Sequence, residues 1–116
     1  MHNFKELNVW KIGIDLVTDI YQITNTFPKS ETFGLTSQIR RSAISIPSNI
    51  AEGAGKSSKK DFSRFLEMAY SSSCELETQL IIANKLAYLD KQQFNLISKK
   101  LISIQKMLYK LINSMR

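Results

Sequence analysis

The sequence predicts an all-α fold: a single domain over residues 1–116, built as an up-down-up-down antiparallel four-helix bundle with its second helix bent at Pro47. Three observations predict it. Apolar residues recur at steps of three and four in four separate segments, the spacing of one helix face. Four Gly and two Pro in 116 residues are too few for a turn-rich all-β chain. No segment alternates apolar and polar residues in the manner of a strand. Short links between amphipathic helices make successive helices antiparallel neighbours.

The first helix is expected from about Asn8 to Phe27, with Val9, Ile12, Leu16, Ile20, Ile23 and Phe27 along one face. Pro28 stops it, because a proline disfavours helical geometry in the residue before it. Asn3 and Glu6 have capping-box spacing, which allows an earlier start. The second helix is expected from about Thr32 to Glu52, with Leu35, Ile39, Ala43, Ile46 and Ile50 on its stripe. Pro47 either kinks a continuous helix or separates two short ones. The apolar phase continues through it, which favours the kink, and Gly53-Ala54-Gly55 reads as the stop.

The third helix should be the longest, from about Lys59 to Leu86, started by Ser58 with Asp61 three positions on. Its stripe runs from Phe62 through Phe65, Leu66, Ala69, Ser73, Leu76, Leu80 and Ala83 to Ala87. Asp90 and Gln93 cap the fourth helix, whose seam of Phe94, Ile97, Leu101, Ile104, Leu108, Leu111 and Met115 keeps a strict heptad spacing. Beside that seam stand Leu96, Ile102, Met107, Tyr109 and Ile112, more apolar residues than one core face needs. They point to a second buried surface and hence to an oligomer; the alternative is a wide core face with a few exposed apolar residues.

Composition excludes several chemistries. Sixteen Lys+Arg against ten Asp+Glu give a formal charge of +6. One cysteine, Cys74, makes neither an internal disulfide nor a zinc site, and fits a reducing, cytoplasmic setting. The single histidine, His2, lies at a terminus expected to be mobile, so a buried His base has no candidate. No apolar run approaches the roughly 18 residues of a membrane span, and no basic start followed by an apolar run marks a secretory signal. The expectation is a soluble, non-enzymatic protein without cofactor or metal.

At the second and third helices the sequence carries a recognisable pattern. Phe27-Pro28, Glu31-x-Phe33-Gly34-Leu35 and Gln38-Ile39-Arg40-Arg41-Ser42-Ala43 lead into Ser45-Ile46-Pro47-Ser48-Asn49-Ile50-Ala51-Glu52-Gly53. Phe62-x-Arg64-Phe65-Leu66 and Glu75-Leu76-Glu77-x-Gln79-Leu80 follow, and Asn8-Val9-Trp10 precedes. Together they resemble the bacterial four-helix-bundle proteins encoded in intervening sequences of 23S ribosomal RNA genes. That family includes the accessory variability determinant proteins of diversity-generating retroelements. The resemblance spans Phe4 to Leu89 and implies a ring-like homopentamer without known enzymatic activity. For the retroelement branch it implies binding of RNA or DNA, and of a reverse transcriptase, through a basic surface. It also implies that the second helix runs bent but unbroken through Pro47. Ser48 and Asn49 then stand ready to satisfy backbone groups opened by the missing N–H, whose usual acceptor is the carbonyl of Ala43.

The candidate nucleic-acid-binding residues are Arg41, Lys56, Lys59, Lys60 and Arg64. The last four surround the one loop with a strong composition shift, at a helix start whose free N–H groups favour anions. Their commoner role is a solvated charged loop. Arg40 is read at the polar edge of the core, in a salt bridge to Glu75 or Glu77, or else on phosphate. Asn49 and Glu52, three apart, are expected in a polar network within or between subunits. Lys99, Lys100, Lys106 and Lys110 read as the ordinary polar face of the fourth helix. A di-metal carboxylate site built on Glu75 and Glu77 would need histidines that no helix carries. Trp10, Tyr21, Tyr70, Tyr88 and Tyr109 read as core or interface aromatics, with base stacking the alternative. Cys74 reads as a small packed residue. A protein-interaction scaffold without a nucleic-acid role is the alternative function.

Overall fold

The computed structural model describes residues 2–115. It contains α1 (Asn8–Thr24), α2 (Leu35–Ala54), α3 (Lys59–Lys85) and α4 (Lys91–Ser114), with 3-10 turns at Phe4–Glu6 and Lys29–Glu31. No strand occurs among the described residues. Each helix packs on the next and α4 returns to α1, whereas the backbones of α1 and α3, and of α2 and α4, stay apart. The four helices thus close a cycle around one core, within 43 × 24 × 20 Å. Leu16, Ile20, Ile46, Phe62, Leu76 and Ile104 lie at its centre.

Side chains meet across every seam between neighbouring helices. Thr24 meets Arg40 while Gly13 meets Pro47; Ser42 meets Gln79 while Ser45 meets Ser72 and Gly53 meets Phe65. On the other side Glu77 meets Gln105, and Asp19 meets Lys100.

α1 ends at Thr24, earlier than the apolar spacing suggests, and Phe27 folds back into the core from beyond it. The turn before α1 is a correction too. Asn3 accepts from the N–H of Lys5, not in a capping box with Glu6, and extended Leu7 separates this turn from the helix. α2 starts at Leu35, not Thr32, because Gly34 leaves helical geometry. Glu31 supplies the missing cap, its Oε1 accepting the Leu35 N–H at 3.2 Å.

α2 continues through Pro47, whose buried ring fits against Gly13 of α1: a Cβ on that glycine would lie 3.4 Å from Pro47 Cβ. Asn49 donates its amide to the carbonyl and hydroxyl of Ser45, at 2.8 and 2.9 Å, while Ser48 stays exposed. The side-chain amide therefore serves the carbonyl two residues beyond that of Ala43.

α3 closes at Lys85. The N–H of Tyr88 bonds the carbonyl of Ala83 and that of Ala87 bonds Asn84, the paired bonds of a Schellman motif. Ala87 takes the left-handed position at φ 62° and is exposed, so it leaves the core stripe on which the spacing places it. α4 begins with the expected capping box of Asp90 and Gln93. Its seam drifts at the far end: Ile112 is buried while Leu111 and Met115 are half-buried, as a straight helix drifts against a 3.5-residue repeat. Of the additional apolar residues, Ile112 joins the core, Met107 is half-buried, and Leu96, Ile102 and Tyr109 remain exposed.

Candidate nucleic-acid interface

The end of the bundle carrying the α2–α3 connection is built on Gly53. A Cβ there would sit 2.7 Å from Cβ of Phe65 and 3.0 Å from Phe62, so only glycine lets these two rings close over the end of α2. Gly55 donates to the carbonyls of Ala51 and Glu52, and Lys56 to that of Gly53, tightening the exit. Ser58 then caps α3 by accepting the Asp61 N–H at 3.1 Å. Lys59 and Lys60 occupy the first turn, exposed, with N–H groups that have no intrahelical acceptor.

Phe65 gathers the charges. Lys56 Nζ lies 5.2 Å from its ring centroid and Arg64 Cζ 5.3 Å, so two cations from opposite sides of the connection converge on one ring. Arg64 also faces Asp61 at 3.7 Å, but both side chains are largely exposed and such a pair holds weakly. Lys60, Asp61, Ser63, Arg64 and Glu67 line an open depression of about 440 Å³ that Met115, just past the end of α4, borders. The chain start joins this end. The His2 N–H bonds the carbonyl of Ala54 at 2.9 Å, and its ring lies 5.0 Å from that of Phe62. His2 is thus tied down where the sequence suggested a free terminus. Periodicity shows Phe65 as core; it gives no sign that Phe65 is also a platform for two cations.

Arg41 stands apart. It is exposed on α2 thirteen residues before Ala54, about 20 Å along the helix at 1.5 Å per residue. Its neighbours there are the level of Ser42 and Glu75, not the lysines.

The expected pairing of Arg40 with Glu75 or Glu77 does not form. Arg40 turns to α1, donating through Nε to Thr24 Oγ1 at 2.9 Å and through its Nη2 to Asn25 Oδ1 at 3.1 Å. Its guanidinium lies 4.4 Å from the Tyr21 ring centroid. The reason is rotational: Ile39 and Ala43 face the core, which puts Arg40 on the α1 side and Ser42 on the α3 side. Glu75 accepts from Ser42 at 3.0 Å and Glu77 from Gln105 at 3.0 Å. Asn49 reaches Ser45, which pairs with Ser72, and Glu52 is exposed outside this network. On α4, Lys100 pairs with Asp19, so it is bound to α1 and not part of a free stripe. Tyr88 bonds Glu31 and Trp10 packs edge-on against Phe4, while Tyr109 is exposed. Cys74, read as packed, is exposed. Among the described residues no three His, Cys, Asp or Glu side chains gather as a metal site, and no helix is long and apolar enough to cross a membrane.

Residues 5–110 match the model of the 23S rRNA-intervening sequence protein family. Among solved structures, a protein of unknown function from the S23 ribosomal protein family of Bacteroides thetaiotaomicron is similar. It has a TM-score of 0.84 and 25% identity, over 90% of this chain and 95% of that one. No curated protein matches.

Proposed function

The chain belongs to the family of 23S rRNA-intervening sequence proteins, and on that footing we propose that it is a non-enzymatic accessory protein binding RNA or DNA phosphates as a ring-like homo-oligomer. The observation that carries the reading is the convergence of Lys56 and Arg64 on Phe65, beside exposed Lys59 and Lys60 at the start of α3. Such a cluster neutralises phosphates and releases their counterions; it reads charge, not base sequence. Copies of the patch around a ring axis would sum their potentials. Arg41 belongs to a separate surface, and reaches the same strand only where that strand runs along α2. The reading takes the bundle as up-down-up-down antiparallel, as the seam contacts support, with α2 bent where Pro47 withholds its N–H.

Fluorescence anisotropy with RNA and DNA across a salt series tests it. Contact by four cations gives a slope of log affinity against log salt of about −3 to −4. No binding at low salt by a well-formed oligomer overturns it.

A second reading, a protein-interaction scaffold, is favoured by one observation. Phe33 is 97% exposed at the opposite end of the bundle, where Leu86 and Leu96 are exposed as well. A partner recovered after nuclease treatment, and no longer recovered with Phe33→Ser, supports it. Where the coding sequence neighbours a reverse transcriptase, that enzyme is the expected partner.

A further inference from the structure

Two open depressions follow one another along the outside of the α3–α4 seam. The first is the hollow at the basic end, edged by Lys60 and Arg64. The second, of about 210 Å³, is lined by Glu67, Tyr70, Ser71, Tyr109, Ile112 and Asn113. Glu67 borders both, so they form one groove that leads away from the basic end. Tyr70 lies six positions beyond Arg64, about 9 Å along α3. On α4, Met115 marks the near end of the groove, and Gln105, meeting Glu77, lies past the far end. Lys106, exposed one turn before Tyr109, therefore brings a further cation to that far end. Of the groove's carboxylates, Asp61 faces Arg64 and Glu67 also has a partner, so neither is a free charge.

Tyr109 is the aromatic ring that this groove leaves open. The Tyr21 ring lies against Arg40, Tyr88 is bonded to Glu31, and Trp10 packs on Phe4. Tyr109 is 63% exposed, while half-buried Tyr70 and buried Ile112 line the same depression. Phe33 is exposed too, but at the opposite end from Lys60 and Arg64. A ring in a groove between cations suits an unpaired strand: phosphates follow the charge, and a base lies on the ring. A duplex gains nothing from the ring, because its base faces are already covered by one another.

We propose that the α3–α4 groove takes a single strand of RNA or DNA, with its phosphates on Lys60, Arg64 and Lys106 and one base stacked on the Tyr109 ring. This rests on the nucleic-acid part of the reading above. It narrows that reading from phosphate in any form to an unpaired strand, and adds a contact that charge alone does not supply. Every base has an aromatic face whatever sugar carries it, so single-stranded RNA and DNA use the ring alike.

The test is fluorescence anisotropy with three probes, short oligo-U RNA, short oligo-dT DNA and a blunt DNA duplex, on wild type, Tyr109→Ala and Tyr109→Phe. Tyr109→Ala should weaken both single strands about tenfold and leave the duplex unchanged. Its salt slope should equal that of wild type, because stacking releases no counterion. Tyr109→Phe keeps the ring and should bind as wild type does. Single strands that Tyr109→Ala does not weaken, or a duplex weakened equally, overturn the groove and leave phosphate binding at the basic end standing. A loss confined to one sugar overturns base stacking as the contact. A wild type that binds none of the probes overturns both readings. Light scattering should give Tyr109→Ala the wild-type mass; a changed mass would place the ring between copies and overturn the groove. Photocrosslinking supplies a second readout: RNA carrying 5-iodouracil should attach to the peptide that contains Tyr109, and crosslinks confined to other peptides overturn the proposal.

Discussion

The hydroxyl of Tyr88 donates to Oε2 of Glu31 at 3.0 Å, across 57 positions of sequence. The same carboxylate accepts the Leu35 N–H through Oε1. One side chain therefore starts α2 and ties it to the α3–α4 connection, while the rings of Phe27 and Tyr88 pack 5.5 Å apart beneath. The bond to Glu31, with desolvation and the carboxylate charge, raises the Tyr88 hydroxyl above its ordinary value of 10.0.

That shift has a definite sign. The folded state holds the phenolic proton more tightly than the unfolded state, so the contribution is fully present below pH 10 and is lost as pH rises through the folded value. Melting wild type and Tyr88→Phe across pH 7–11, about the ordinary tyrosine range, should show a constant gap at neutral pH that shrinks above pH 10. A gap independent of pH would contradict it.

Ala87 occupies the left-handed position of the α3 Schellman motif at φ 62°. A side chain there costs about 1 kcal/mol that glycine avoids. Ala87→Gly, an exposed change, should raise unfolding free energy by up to about 1 kcal/mol in urea, less the added freedom of the unfolded chain.

Gly53 and Gly13 both lie inside helices but should respond oppositely to alanine. At Gly53 the new Cβ meets Phe65 and Phe62 at 2.7 and 3.0 Å, and overpacking should cost about 1–3 kcal/mol. At Gly13 the nearest atom is 3.4 Å away, an ordinary contact, and helix propensity should stabilise by up to about 1 kcal/mol. Paired denaturant melts measure both.

Thr36 is buried and its hydroxyl has no hydrogen-bond partner among the described residues. Thr36→Val keeps the shape and removes the unpaired group, which should stabilise by about 1 kcal/mol. Equal or lower stability would mean that the hydroxyl finds a partner in solution.

For the basic end, Lys59→Gln with Lys60→Gln should flatten the salt slope of nucleic-acid binding by about 2, one for each phosphate no longer neutralised. Lys99→Gln, exposed on α4 at a distance from this end, should leave it unchanged. An equal effect of both changes would mean that total charge matters and the patch does not.

The number, order and approximate limits of the helices were legible because apolar spacing and capping residues are local. Ser58 with Asp61 and Asp90 with Gln93 act within one turn, so their types in sequence were enough. The limits failed where a distant or unusual partner decided: α2 begins where Glu31 reaches Leu35, and Ala87 holds a position that usually signals itself as glycine. The basic cluster was legible for Lys56, Lys59, Lys60 and Arg64, which lie within nine positions of one another. Arg41 was grouped with them by chemistry alone, and helix length carries it away.

The sequence by itself determined an all-helical chain of four amphipathic segments, its family and its basic end, since each follows from local periodicity, motif or charge. Tertiary structure decided the partners: Arg40 on Thr24 and Asn25, not on Glu75 or Glu77; Lys56 and Arg64 on Phe65; exposed Cys74; and Tyr109 left open in the α3–α4 groove. A helix repeats every 3.6 residues, so the side chain that flanks the core is known from spacing. Which neighbouring helix it then meets depends on the order in which the four pack, and that order is a property of the whole bundle.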